Sequence, residues 1–168
     1  DYKIVCGNSL LGYPYTPRGL EKIEKLKGSF FKETNPTEKN KLRGQIDDAI
    51  YGLYKNTEKS LGYKVTMDFK INFSEVFHAK GGFDVVIANP PYVDSEQMVS
   101  TMPIIRKQIA QQYKTAKGNW DLYIPFWEIC FRLLTITGNA VLITPNKWLS
   151  IGYGKALRAL LRKHVFRI

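Results

Sequence analysis

The run Phe83-Asp84-Val85-Val86-Ile87-Ala88, stopped by Asn89-Pro90-Pro91-Tyr92, constrains the fold of this chain more than any other segment. A short β-branched run that ends in a stiff turn reads as a buried strand delivering a loop to the edge of a sheet. Each proline is locked at a φ of about −65° and has no N–H, and the residue before a proline is pushed out of the helical region. Asn89 is therefore held extended, with its amide projecting from the strand end. The segments that follow alternate in type. Leu122–Leu134 reads as an amphipathic helix through Leu122, Phe126, Ile129, Cys130 and Leu133, ended by Gly138. Ala140–Thr144 reads as a buried strand stopped at Pro145, and Ile151–His164 as a basic helix with Leu157, Leu160 and Leu161 inward. Strand, helix, strand, helix in alternation predicts an α/β fold, a partial Rossmann-like sheet, mostly parallel and three-layered.

The first part of the chain is more helical. Tyr2–Cys6 reads as a short strand. Arg18–Lys27 and Glu38–Lys55 carry apolar residues at helical spacing and predict a helical hairpin within an insertion over residues 18–60. Lys64–Met67 is expected to be extended, Asn72–Ala79 a short helix, and Ser95–Tyr113 irregular and then helical. Residues 1–168 are expected to form one domain.

Composition narrows the class. With 44% hydrophobic and 13% aromatic residues the chain is globular, and no stretch approaches the apolar length that spans a bilayer. No membrane partner and no export signal are expected; a cytoplasmic location is. Cys6 and Cys130 read as reduced core thiols, and neither His78 nor His164 has neighbours at ligand spacing, so no metal site is expected. The net charge of +10 is uneven. Residues 129–168 hold seven Lys/Arg and residues 97–118 hold four, with no acid in either stretch, leaving −1 for the remainder. Two acid-free basic stretches behind the motif fit a phosphate-binding surface, with Arg106, Lys107, Lys114, Lys117, Lys147 and Lys155 as candidate contacts to double-stranded DNA.

The tetrapeptide itself points to a chemistry. The Asn89 carboxamide and the Pro90 carbonyl are two fixed, neutral acceptors, suited to a substrate that presents an –NH2 group. The amine of adenine is a poor nucleophile because its lone pair is delocalised into the ring. Accepting both of its hydrogens from out-of-plane directions favours the pyramidal form, whose lone pair attacks a methyl sulfonium in line. Tyr92 adds an aromatic face. Extruding a base from a duplex costs a few kcal/mol, and stacking on an aromatic ring returns about 1–3 kcal/mol.

On these residues the sequence resembles the amino-methyltransferases that modify DNA bases. Their catalytic motif is Asn/Asp/Ser-Pro-Pro-Tyr/Phe, with Asn first in enzymes that methylate adenine. The stretch Asp68-Phe69 through Gly81-Gly82 to Val93 is similar to the methylase part of type IIG restriction–modification enzymes. So are Asn119-Trp120-Asp121-Leu122-Tyr123, Val141-Leu142-Ile143-Thr144-Pro145-Asn146-Lys147-Trp148-Leu149 and Lys155-Ala156-Leu157-Arg158. The resemblance implies S-adenosyl-L-methionine as cofactor and Asn89, Pro90, Pro91 and Tyr92 as the catalytic loop. It further implies that Asn8 and Ser9, in Cys6-Gly7-Asn8-Ser9-Leu10, face the cofactor, although the family more often has Asp at the position of Asn8. The Gly-containing turn that carries the cofactor does not precede Asn89. The chain is thus expected to be the catalytic-motif half of a larger methyltransferase, partnered by the remainder of its parent polypeptide, and to bind cofactor poorly alone. Two alternatives share its features: a methyltransferase acting on a protein glutamine or an RNA base, and a DNA-binding or specificity module without catalysis.

Overall fold

The alternating run forms a strand over its whole expected length. β1 (Phe83–Ala88) pairs in parallel with β2 (Leu134–Leu142), with Val85 opposite Asn139, Val86 opposite Ala140, Ile87 opposite Val141 and Ala88 opposite Leu142. In the computed structural model, which describes residues 4–164, these are the two strands of the sheet. A long helix, α8 (Tyr123–Leu133), makes the crossover and packs on both strands. The side chains that alternate toward one face (Val86, Ala88, Ala140, Leu142) are half-buried. The other face is bare, with Val85 57%, Ile87 78%, Val141 56% and Ile143 65% exposed. The expectation that both strands are buried is thus corrected. A parallel strand is buried only when helices cover both faces, and among the described residues one face has cover.

Gly138 does not end the helix either. α8 stops at Leu133 and β2 begins at once, with an irregular register between the Phe83–Leu134 and Val85–Asn139 pairs. Gly138 lies in that irregularity, where a Cβ would stand 2.8 Å from the Phe83 carbonyl oxygen. Gly82 is tighter still. A Cβ there would stand 2.6 Å from the Leu133 oxygen and 2.7 Å from the Leu134 carbonyl carbon, both backbone atoms. Gly82→Ala is therefore expected to lower stability by about 1–3 kcal/mol through overpacking. Urea unfolding checks this, and an unchanged midpoint would show that the entry to β1 relaxes freely.

Between the strands lie α6 (Ser95–Thr101) and α7 (Pro103–Gln112). Asp94 caps α6, its Oδ1 accepting from the Gln97 N–H at 2.8 Å. The segment is helical from the outset, not irregular and then helical. The break falls at Met102, because the following Pro103 excludes the helical region there and then serves as the first residue of α7. Past β2, a short 3₁₀ turn at Lys147–Leu149 and another at Gly152–Gly154 lead into α9 (Lys155–His164), which buries Leu157 and Leu161. α8 carries a buried carboxylate, Glu128, that accepts from both the Thr115 N–H and the Thr115 hydroxyl at 2.9 Å. Burial raises its pKa, but the Thr115 donors and Arg132 outweigh that, and the net shift is downward. Burial pushes the Cys130 thiol up to about 11, so that sulfur is inert.

The chain divides into two compact units, Asp1–Gly81 and Gly82–Ile168. The first is helical. α1 (Leu20–Lys32) and α2 (Pro36–Tyr54) pack as the expected hairpin around Phe30 and Ile46, with Leu26, Leu42 and Ile50 beside them. α1 runs past Lys27 because Phe30 continues the buried stripe of Ile23 and Lys27. Asn35 caps α2, its Oδ1 accepting from the Thr37 N–H at 2.9 Å and the Glu38 N–H at 3.3 Å, with Pro36 as first helical residue. Three short helices follow: α3 (Thr57–Leu61), α4 (Phe69–Asn72) and α5 (Ser74–Lys80), so the single helix expected over Asn72–Ala79 is broken at Phe73. Lys64–Met67 forms no strand, although Val65 and Met67 are buried. Of the strand expected at Tyr2–Cys6, Tyr2 and Lys3 lie outside the described residues and residues 4–6 pair with no strand. Cys6 is exposed, not a core thiol. Among the described residues no helix is long and apolar enough to cross a membrane, and no group of three potential ligands could hold a metal ion.

Candidate functional site

The proline-stiffened loop leaves the exit end of β1 as its stereochemistry requires. Asn89 is exposed, Pro90 is buried, and Tyr92 is 56% exposed. The Tyr92 hydroxyl stands 3.2 Å from the Asn89 Oδ1 and 3.1 Å from the Ile143 carbonyl oxygen. A hydroxyl has one hydrogen, so the two acceptors share it. When it is donated to Ile143, the Asn89 oxygen has no hydrogen from Tyr92 and can accept one from elsewhere. The loop is tied down at its far end, where the Leu122 N–H donates to the Val93 carbonyl at 2.8 Å. At its near end the Ile143 N–H donates to the Ala88 carbonyl at 3.1 Å, continuing the ladder beyond β2.

Beside the loop lies a buried acid that sequence reasoning did not single out. Asp121 is 4% exposed and accepts from the Lys147 ammonium at 2.6 Å and from the Tyr153 hydroxyl at 2.7 Å. Tyr123 and Tyr153 bring their hydroxyls to 3.4 Å. The bond to Asp121 raises the Lys147 pKa, and burial first, then the neighbouring Tyr123 and Asp121, raise that of Tyr153. A signal for Asp121 was present in the sequence: it and Glu128 are the two acids in residues 97–168. Isolated acids in a basic segment suggest carboxylates held inside by donors.

The candidate DNA-contacting cations separate into two groups. Arg106 and Lys147 are committed within the protein. The Arg106 guanidinium donates to the Ser95 hydroxyl at 3.2 Å and the Gly118 carbonyl at 2.9 Å, and lies 5.0 Å over the Trp120 ring. Lys107, Lys114, Lys117 and Lys155 are exposed. Lys117 and Lys155 come together on one open cleft of about 730 Å³ whose floor includes Ile151 and Ala156. Lys107 borders a separate groove with Val99 and Pro103.

In the first unit, Asn8 turns its Oδ1 onto its own backbone, accepting from the Leu10 N–H at 2.9 Å and the Leu11 N–H at 3.1 Å. Ser9 beside it is half-buried. Nine of the glycines serve turns or close approaches within the protein, and none of these nine fits a cradle for S-adenosyl-L-methionine. Gly19, Gly62 and Gly81 take left-handed conformations at helix ends, and Gly118 does so in the loop before α8. At Gly7, Gly12, Gly82, Gly138 and Gly154 the space a Cβ would need is filled by protein atoms, not opened toward a ligand.

The sequence profile described as "Eco57I restriction-modification methylase" matches residues 11–167. Among curated proteins the chain is 35% identical over 79 residues to the type II methyltransferase M.XhoI of Xanthomonas vasicola, covering 47% of this chain and 14% of that protein. It is 35% identical over 82 residues to the type II methyltransferase M.PaeR7I of Pseudomonas aeruginosa, covering 49% and 14% respectively. The type II restriction enzyme and methyltransferase RM.Eco57I of Escherichia coli is 29% identical over 116 residues, covering 68% of this chain and 11% of that protein. The matched region is thus a small fraction of each relative's length. No solved structure matches the chain.

Proposed function

The chain belongs to the Eco57I restriction-modification methylase family, and from that premise we propose that its motif loop receives the exocyclic amine of an adenine turned out of duplex DNA and presents it for methylation. The observation that carries the proposal is the state of the loop: an exposed Asn89 whose carboxamide oxygen meets a Tyr92 hydroxyl that it shares with the Ile143 carbonyl, on a Tyr92 that is itself more than half exposed. Asn89 Oδ1 accepts one amine hydrogen and the Pro90 carbonyl, to which no hydrogen bond is made among the described residues, accepts the other. Both acceptors are neutral, so they stabilise the positive charge that develops on nitrogen without removing a proton beforehand. Tyr92 offers a stacking face that offsets part of the cost of extrusion. The family implies S-adenosyl-L-methionine as the source of the methyl group. Such a donor, when bound, would give up its methyl by breaking the sulfonium C–S bond and leave as the neutral thioether, and the surplus proton of the methylated amine would pass to water. Exposed Lys107, Lys114, Lys117 and Lys155 supply contacts to the phosphate backbone.

The test is the identity of the product. Full-length protein is incubated with duplex DNA and methyl donor, and the DNA is digested to nucleosides for mass spectrometry. N6-methyladenine is the expected product. A methylated cytosine, or methyl groups transferred only to RNA or to glutamine in a protein, would replace this reading with one of its rivals.

A further inference from the structure

A closed ring of contacts surrounds the motif loop. Tyr92 reaches Ile143 at the exit of β2, Lys147 just beyond that exit reaches Asp121, and Leu122 next to Asp121 returns to Val93 on the loop. Tyr153, ahead of α9, joins the ring at the same carboxylate. We propose that Asp121 is a positioning residue of this site: it locks the ring that sets the motif loop, and it holds Lys147 away from the DNA phosphates. The inference rests on the methyltransferase reading of the loop.

A carboxylate taken out of water is stable only if charged or polar donors replace its hydration. Here both donors come from the segment after β2, so the bonds that satisfy Asp121 also fasten that segment to the start of α8. The motif loop is fixed to both partners, to the first through Tyr92 and to the second through Val93. If the Asp121 bonds are weakened, the link between the two anchors of the loop is weakened. The second consequence is electrostatic. Lys147 stands at the same end of the sheet as Asn89 and is 45% exposed along its side chain, yet its ammonium is neutralised by Asp121 at 2.6 Å. Removing the carboxyl charge leaves the shape of the site and releases a cation beside the bound DNA.

These two consequences have opposite signs, which separates positioning from simple damage to the fold. In the full-length protein, Asp121→Asn is expected to lower kcat by about 10²-fold through misplacement of the loop. At the same time DNA should bind more tightly, and the log-log dependence of affinity on salt should steepen by up to about 0.9, the value of one added phosphate contact. Lys147→Met should also lower kcat while leaving that slope unchanged. Undiminished kcat in Asp121→Asn, or DNA binding weakened in step with kcat and thermal midpoint, would overturn the proposal. If Asp121→Asn does not fold, Lys147→Met decides: a shallower slope means that Lys147 touches phosphate in the native protein and the proposal is wrong. Asn89→Ala, assayed alongside, keeps the two readings apart. Its loss of turnover with Asp121→Asn fully active overturns the role of Asp121 only, whereas full activity of Asn89→Ala removes the methyltransferase reading of the loop.

Discussion

Replacing Asn89 with alanine is expected to lower methyl transfer by about 10²–10³-fold, the range seen when one preorganised polar group facing a developing charge is removed. DNA affinity should change little, because phosphate contacts dominate it and Asn89 is not among them. The carboxamide is the one side-chain amide on the loop, and the Tyr92 hydroxyl stands 3.2 Å from its oxygen. Alanine removes the acceptor but leaves Pro90, Pro91 and the ring in place, so the base still has a surface on which to stack. Single-turnover methylation with a labelled donor, together with a DNA titration, checks both halves. Transfer at the native rate by the alanine variant would end the assignment of this loop as the amine receptor.

The second large effect concerns stability in the first unit. The Lys27 ammonium is fully buried and donates to the Ile71 carbonyl at 3.2 Å, to the Asn72 carbonyl, and to the Glu75 carboxylate at 2.9 Å. Ile71 and Asn72 end the four-residue helix α4, whose last carbonyls have no partners within the helix. Lys27→Met keeps the aliphatic stem but strands those acceptors and the carboxylate, and should cost about 2–4 kcal/mol of unfolding free energy. Burial lowers the Lys27 pKa below the ordinary lysine value of 10.5. Between that lowered value and 10.5 the unfolded chain binds more protons than the folded one, so native stability gains with rising pH in that window. The methionine variant should lose this alkaline gain. Chemical denaturation at two pH values measures both effects, and a change below about 0.5 kcal/mol would mean that water reaches the site and replaces the ammonium.

The predictable features of this fold are those whose cause lies within a few residues. The prolines after Ala88 end β1 where they must, Asn35 and Pro36 start α2, and Pro103 breaks one helix and opens the next. The parallel pairing of β1 with β2 also agrees with the alternation, since a parallel pair needs a crossover connection and a helix commonly makes it. Glycine was the weakest guide. Gly138 looked like a helix end and is instead a close approach of two strands, a distinction set by the Phe83 oxygen on the opposite strand. The strands are exposed on one face for a related reason: an apolar run reports that a face needs cover, not that the cover is present.

The candidate site divides along the same line. Local stereochemistry placed Asn89, Pro90, Pro91 and Tyr92 at a strand exit, because dihedral restriction acts on neighbours and needs no partner elsewhere. Which cations face solvent, and which are neutralised, was decided by the tertiary structure. Asp121 meets Tyr153 across 32 positions, and Lys27 meets Glu75 across 48. Such pairs form only once the backbone has already brought distant segments together. A lysine read from composition counts as one positive charge; in the folded chain Lys147 is half of an ion pair and Lys155 is exposed on a cleft, and charge alone does not distinguish them.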